Sequence, residues 1–230
     1  MFGEIVVINK GRFRPSIKEQ VDGLLVIKDG PSKKPARKTE VLASGLAPAE
    51  VVERLGAADV GWHFVHHMVE SDEEAPVVKA AYKEVRYRTM FTTWVFVHDM
   101  GSVPRFESEP PARLIRDQAQ MDSVNQVASQ KVKLRPGLRQ FAVYDDARDY
   151  GWVTDIPIGD AAWVSNLYVH SEFRGRGFGR SLMSALLACD KEAGVTASVL
   201  LASMAGARLY PHLGYRQIGV MQTFCPMDRP

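Results

Sequence analysis

The sequence predicts an α/β chain in which helices flank a mixed sheet, built as two successive halves. Three observations carry this. Residues 163–201 run strand, glycine-rich turn, helix, strand, the order of a βαβ crossover. Residues 101–112 hold Pro104, Pro110 and Pro111 among polar residues with little hydrophobic periodicity, as a linker between halves would. Finally, Ala80-Ala81-Tyr82-Lys83-Glu84-Val85-Arg86-Tyr87-Arg88 aligns with Arg208-Leu209-Tyr210-Pro211-His212-Leu213-Gly214-Tyr215-Arg216, sharing both tyrosines and the closing arginine at identical spacing.

In the first half, residues 39–44 read as a strand and 48–55 as a helix with Pro48 at a first-turn position. A strand over 62–69, a helix over 76–85 and a strand over 89–98 follow, so the elements of the second half recur in order. The glycine-rich turn does not recur. Gly45-Leu46-Ala47-Pro48 stands in its place, and Pro48 has no N–H to offer an anion. His63, His66 and His67 suggest a metal, but on a strand His63 and His67 share one face and His66 points to the other. They read as polar and aromatic packing, with Glu70 alongside leaving substrate contact as the alternative. Lys33, Lys34, Arg37 and Lys38, interrupted by Pro31 and Pro35, read as a solvated basic loop.

In the second half, 113–116 reads as a strand, 119–129 as a helix, and 140–144 and 152–156 as strands. Asp145, Asp146 and Asp149 fall in a tight hairpin region without Ca²⁺-loop spacing and read as a solvated turn. The strand over 163–169 leads into Arg174-Gly175-Arg176-Gly177-Phe178-Gly179. From Phe178 a helix is marked by Leu182, Met183, Leu186 and Leu187, and Gly194 stops it. A turn poor in side chains lets backbone N–H groups converge, and the helix start adds its positive dipole end, which suits a pyrophosphate. Gly179 would let the first helical turn approach the sheet closely. Arg180-Ser181 lacks the Gly-Lys step of a Walker loop. The glycine spacing, and the absence of a carboxylate ending 196–201, depart from the dinucleotide fingerprint, so neither ATP nor NAD is the favoured ligand.

Arg174-x-x-Gly177-x-Gly179 resembles the signature of the GCN5-related N-acetyltransferase (GNAT) family, whose loop holds the pyrophosphate of acetyl-CoA. Two further elements agree: residues 206–215, from Gly206 to Tyr215, resemble the family's late helix and turn, and Leu167-Tyr168-Val169 resembles its pantetheine-pairing strand. The resemblance covers residues 111–230. It implies the GNAT fold, a mixed, mostly antiparallel sheet flanked by helices, with a degenerate GNAT-like half-domain over 1–107 and a catalytic domain over 108–230. The implied activity is transfer of an acetyl group from the cosubstrate acetyl-CoA to a primary amine, by direct attack in a ternary complex. A regulatory module that binds acyl-CoA without turning it over is the alternative.

By the same resemblance, Arg174, Gly175, Arg176, Gly177, Phe178, Gly179 and Arg180 would hold pyrophosphate. Leu167, Tyr168 and Val169 would hold pantetheine, and Ser203 stands where relatives place a cofactor-contacting Asn. Tyr210 would be the general acid: its unperturbed pKa of about 10 exceeds the roughly 8.5 of a thiol, so it is protonated at neutral pH and can donate to the departing thiolate. Tyr82 is then structural. Ser165 occupies the place of the usual general-base Glu, so the base is unassigned, with His170, Glu172, Asp155, Asp160 and a water chain as substitutes. Pro211 requires the late helix to kink or end close by.

Composition bounds the rest. With 230 residues, 46% hydrophobic, the chain can bury one large core or two small ones. Cys189 and Cys225 form neither a disulfide framework nor a metal site, which fits a reducing, cytoplasmic setting. Met1-Phe2-Gly3-Glu4-Ile5 starts no signal peptide, and no apolar run approaches ~18 residues, so no membrane partner is expected. A net charge of +2 from 29 basic and 27 acidic residues is too balanced for a nucleic-acid partner. No metal is expected, the amine acceptor is not specified, and monomer and homodimer are both compatible.

Overall fold

The computed structural model describes residues 16–31, 39–58, 60–128 and 133–228. The basic loop around Lys33, the chain's first residues and Ser129 lie outside them. In chain order the elements are β1 (Ser16–Val21), β2 (Leu24–Asp29), β3 (Thr39–Ser44), α1 (Pro48–Ala57), β4 (His63–Val69), α2 (Glu74–Glu84), β5 (Tyr87–His98), β6 (Ala112–Leu114), α3 (Gln118–Val127), β7 (Arg139–Tyr144), β8 (Asp149–Ile158), β9 (Ala161–Val169), α4 (Phe178–Glu192), β10 (Ala197–Ala202), α5 (Met204–Ala207) and β11 (Arg216–Pro226). Two 3₁₀ turns, Ser171–Phe173 and Tyr210–Leu213, complete the list. No helix among the described residues is long and apolar enough to cross a membrane.

Two compact units result, one of Met1–Val95 with Ile218–Pro230, the other of Phe96–Gln217. The changeover falls inside β5 and inside β11, displaced from the expected boundary at 107/108. The reason is pairing: Val220 to Phe224 of β11 run antiparallel to Val69 to Val65 of β4, so the chain's end returns to the first unit. Nor is 101–112 a loose linker. Within the second unit Ser184 donates its hydroxyl to the Pro104 carbonyl and accepts from the Phe106 N–H at 3.0 Å, and Lys191 Nζ reaches the Gly101 carbonyl at 2.8 Å. Three hydrogen bonds from two side chains of α4, Ser184 and Lys191, hold this segment along the helix.

In the first unit the strand order is β1-β2-β3-β4-β11-β5. β3 and β4 are parallel, joined through α1, while β1/β2, β2/β3 and β4/β11 are antiparallel. Val51 and Leu55 of α1 and Tyr82 of α2 close the core over Leu24, Val26, Val41, Val65 and Phe224. Tyr82 is wholly buried and stacks on Phe224 with 3.9 Å between ring centroids. His63 and His67 face this core, hydrogen-bonded to Tyr87 Oη at 2.7 Å and Tyr82 Oη at 3.0 Å, and burial lowers both imidazole pKa values. His66 points the other way, between Glu40 Oε2 at 2.6 Å and Thr223 Oγ1 at 2.9 Å. Among the described residues no group of three or more His, Cys, Asp or Glu is placed to hold a metal.

In the second unit the order is β10-β9-β8-β7-β6, with β9 and β10 parallel across α4 and the other pairs antiparallel. This is the mixed, mostly antiparallel, helix-flanked sheet that the sequence predicts. α4 buries Phe178, Leu182, Met183, Leu186 and Leu187. Trp152 of β8 packs in the cluster of Val124 from α3, while Asp155, three residues on and so on the opposite face, meets Asp190 of α4. Arg139 Nη1 lies 2.7 Å from Asp190 Oδ1 and 3.5 Å from Asp155 Oδ2. Burial, and then the charge of Asp190, push the Asp155 carboxyl up to about 8, and burial raises Asp190 as well, so the pair holds a proton between them.

The expected late helix over 206–215 is not continuous. α5 spans Met204–Ala207 alone, and Tyr210–Leu213 is a 3₁₀ turn closed by Gly214 at φ +87°. Pro211 has no N–H to continue a helical ladder, which ends it there.

Candidate functional site

β9 and β10 part company halfway along. Their register runs from Ala161 opposite Ala197 to Val164 opposite Leu200, yet β9 continues to Val169 beside β8. The parting coincides with a bulge. Thr154 faces Ser165 and Trp152 faces Tyr168, so β9 takes three steps where β8 takes two, and Asn166 absorbs the extra residue at φ +56°. Asn is among the few side chains that tolerate this left-handed conformation. Gly151 makes room for the displaced strand: a Cβ there would lie 2.4 Å from the Tyr168 carbonyl oxygen. Leu167, Tyr168 and Val169 thus carry a backbone edge that diverges from β10. Sequence reasoning passed over Asn166 and Gly151, although an Asn and a Gly inside strand patterns are the available bulge signals.

Beyond Val169 the chain reaches the glycine turn and α4. Gly177 is the residue before the helix, at φ +88° and with no side chain capping the first turn, and Ser181 N–H to Gly177 O at 2.9 Å is the first helical bond. The N–H groups of Phe178, Gly179 and Arg180 are therefore the open donors of the helix start. Gly175 and Gly177 require glycine for their positive φ, with open space where a Cβ would go. Gly179 does not have the close-packing role expected of it: a Cβ would meet Leu209 and Val169 side chains at 3.7 and 3.8 Å, ordinary contact. Phe178 is buried, its ring 4.8 Å from that of Tyr150, so it offers the site an anchor and an N–H. Arg174 Nε donates to the Val169 carbonyl at 3.1 Å, pinning the turn to the strand. Arg176 lies over Phe173 and Arg180 over Phe106.

Ser203 follows β10 directly, and its hydroxyl accepts the Gly206 N–H at 3.2 Å to start α5. That turn carries Tyr210 back: a Cβ on Gly206 would lie 3.3 Å from the Tyr210 ring and 3.6 Å from Ser203 Oγ. Tyr210 is 6% exposed, packed against Phe96 and Tyr215, and burial pushes its hydroxyl up to about 12.

The four sequence candidates for a base separate. Asp155 is wholly buried and committed to Arg139 and Asp190, and Asp160 caps the opposite end of β9, where its carbonyl accepts the Thr196 N–H at 2.7 Å. Neither reaches the bulge. Glu172 is exposed in the 3₁₀ turn. His170 stands next to Val169 with Nε2 2.9 Å from Asp149 Oδ2, edge-on to Trp152 and Tyr168. Asp149 is accordingly a buried partner in β8, where a solvated turn was expected. Ser165 and Thr154, which flank the bulge, bring no ionisable group to it.

Residues 136–217 match the family model described as an acetyltransferase (GNAT) domain. No curated protein matches the sequence. Among solved structures, a GCN5-related N-acetyltransferase from Kribbella flavida is 15% identical with TM-score 0.66, covering 98% of this chain and 95% of that one. Another, from Sphaerobacter thermophilus, is 13% identical with TM-score 0.60, covering 90% and 81%. A tandem GNAT protein from the clavulanic acid biosynthesis pathway is 13% identical with TM-score 0.51, covering 88% and 78%. The chain has the GNAT fold, and the parted strands, the glycine turn and the turn bearing Tyr210 all lie within or beside the matched 136–217.

Proposed function

We propose that this protein is an acyl-CoA-dependent N-acyltransferase that moves an acetyl group from acetyl-CoA to a primary amine. The observation that carries the reading is the wedge between β9 and β10, opened by the Asn166 bulge and facing the uncapped start of α4. A thioester laid along Leu167, Tyr168 and Val169 would pair with that free backbone edge, while its pyrophosphate takes the N–H donors of Phe178, Gly179 and Arg180. The amine nitrogen attacks the thioester carbon within a ternary complex, a backbone N–H of the bulged segment stabilises the oxyanion, and the C–S bond breaks. The thiolate takes a proton from Tyr210, carried on the 3₁₀ turn after β10, and the amine's surplus proton passes through water to restore the Tyr210 hydroxyl.

A degenerate first half belongs to the same reading. Tyr82 and Tyr87 have ring centroids 5.7 Å apart, Tyr210 and Tyr215 5.6 Å, and the aligned positions Arg86 and Gly214 both adopt positive φ, +63° and +87°. Each second tyrosine bonds to a residue at the start of a parallel strand, Tyr87 to His63 and Tyr215 to Ser198. Pro48 at the start of α1 removes an N–H where α4 offers one, so the first half has lost the anion site. The likeness to the tandem GNAT protein supports this.

Tyr210→Phe tests the mechanism. The expected outcome is kcat lower by ~10²–10⁴-fold with acetyl-CoA affinity within a few-fold of the parent, read by thiol release and calorimetry. Because burial places the hydroxyl at about 12, kcat/KM should show no basic limb from Tyr210 below about pH 10. Unchanged turnover rejects Tyr210 as the acid. Tight binding without turnover on any amine favours the non-catalytic acyl-CoA-binding module, towards which Ser165 at the bulge already leans.

A further inference from the structure

The first unit holds a cleft of about 440 Å³ whose described lining comes entirely from that unit. Val52 and Leu55 from the end of α1 and Val60 before β4 give it aliphatic surface, and Trp62, His63 and Tyr87 add three aromatic rings. Helix length accounts for the space. α4, the parallel crossover of the second unit, has 15 residues, whereas α1, which makes the same crossover in the first, has 10 and ends at Ala57. At a rise of about 1.5 Å per residue α1 is shorter by about 7.5 Å, and its last turn stands at the cleft. Gly56 of that turn is also in the lining, and a Cβ there would meet nothing within 4 Å. A helix favours almost any side chain over Gly, so the bare Cα is a loss to α1 and room for an occupant.

The polar groups of the cleft are ordered. His63 Nδ1 lies 2.6 Å from the Gly61 carbonyl and Nε2 lies 2.7 Å from Tyr87 Oη. A carbonyl only accepts, so Nδ1 carries the hydrogen. Burial lowers the His63 pKa, which leaves the ring neutral with a bare Nε2, and burial pushes the Tyr87 hydroxyl up to about 12, so that it keeps its proton. Tyr87 therefore donates to Nε2, and the lone pairs of its oxygen are what the dyad has left to offer. Asp228, at the edge of the cleft, is already bound by Arg86 through both carboxylate oxygens at 3.0 to 3.2 Å, and both side chains are exposed. An occupant thus meets apolar and aromatic surface, an acceptor oxygen, and no uncompensated charge among the described lining residues.

We propose that this cleft binds a neutral aromatic molecule of one or two rings whose single polar group donates a hydrogen bond to Tyr87 Oη, as an indole or a phenol does. A cleft of this size, mostly apolar with a few placed polar groups, has the usual build of a small-molecule site. Ring contacts with Trp62, His63 and Tyr87 favour an aromatic body, and a charged molecule would lose hydration against walls that offer it no counter-charge. The site stands apart from the acyl-CoA reading, and it gives the half that has lost the anion site a ligand of its own.

The test is an NMR titration of the isotope-labelled full chain with indole and with benzofuran, which has the same shape but an oxygen in place of the N–H donor. Indole should shift the Gly56 and Gly61 amides and saturate with a Kd on the order of 10⁻⁴–10⁻³ M, as suits so small a ligand. Benzofuran should bind about 3–10-fold more weakly, the factor expected for one hydrogen bond. Gly56→Trp, which fills the cleft with a ring of the chain's own, should abolish binding of both at an unchanged Tm, with Gly56→Leu as the milder filler. Equal binding of the two ligands overturns the match to Tyr87, and binding that neither filler weakens overturns the location. A folded parent in which neither ligand shifts the Gly56 or Gly61 amide overturns the site outright.

Discussion

Asp155 has no contact with solvent, yet it sits beside a second carboxyl and a single arginine. An unfolded aspartate titrates near about 3.9, whereas burial and Asp190 raise Asp155 to about 8 in the folded chain. The folded state therefore binds this proton more tightly than the unfolded state. The resulting stabilisation is complete below about pH 4 and is lost as pH rises through about 8. Burial raises Asp190 as well, but the two carboxyls share one proton, so they titrate as a pair and not as two separate contributions. Asp155→Asn removes the titration but keeps a donor for Asp190. Scanning calorimetry should show the parent losing stability from about pH 6 to about pH 9, on the order of 2 kcal/mol, while the variant stays flatter and exceeds the parent at the alkaline end. A parent curve that is flat or rising relative to the variant would mean that no proton is shared.

At the scale of elements, the glycine turn and the head of α4 separate three glycines that look alike in sequence. Gly177 sits at φ +88°, where an L-residue is strained by roughly 1–2 kcal/mol, so Gly177→Ala should lower Tm and weaken acetyl-CoA binding by shifting the N–H groups that follow. Gly179 lies inside the helix with room for a methyl group, and Gly179→Ala should gain up to ~1 kcal/mol of helix propensity and leave affinity within a few-fold. Thermal melts and calorimetry on the two variants check this, and the opposite ranking would show that the turn is not held as described. The strand, turn, helix and strand around these glycines were legible because hydrophobic spacing and glycines are local signals. The bulge at Asn166 was not, because its meaning depends on the register of β8 next door and on Gly151 across from it. Asp149 was equally hidden, since its partner His170 lies more than 20 residues away in sequence. Pro211 did mark the end of the late helix, but where Tyr210 would then point was a tertiary matter.

For the whole molecule, the proline-rich stretch pointed to two halves, but no local pattern shows that the chain's end returns to the first of them. That return has an energetic consequence. Phe224 of β11 is wholly buried against Tyr82, Val220 packs with Val69 and Ala75, and the Met227 N–H reaches the Arg86 carbonyl at 2.9 Å. Losing a buried Phe alone costs about 3–5 kcal/mol, and the ladder on β4 would be lost with it. Set against a typical net stability of about 5–15 kcal/mol, this is enough to unfold the first unit. A chain ending at Gln217 should therefore lose amide protection in β4 and α2 by hydrogen exchange. It should keep protection in β7, β8 and β9, whose strand partners all lie within Phe96–Gln217. Protection retained in β4 would show that the first unit does not depend on its returning strand, and a cut at 107/108 would then separate two self-sufficient pieces. Protection lost throughout would instead make the two units one cooperative structure, whose function cannot be assigned to residues 96–217 in isolation.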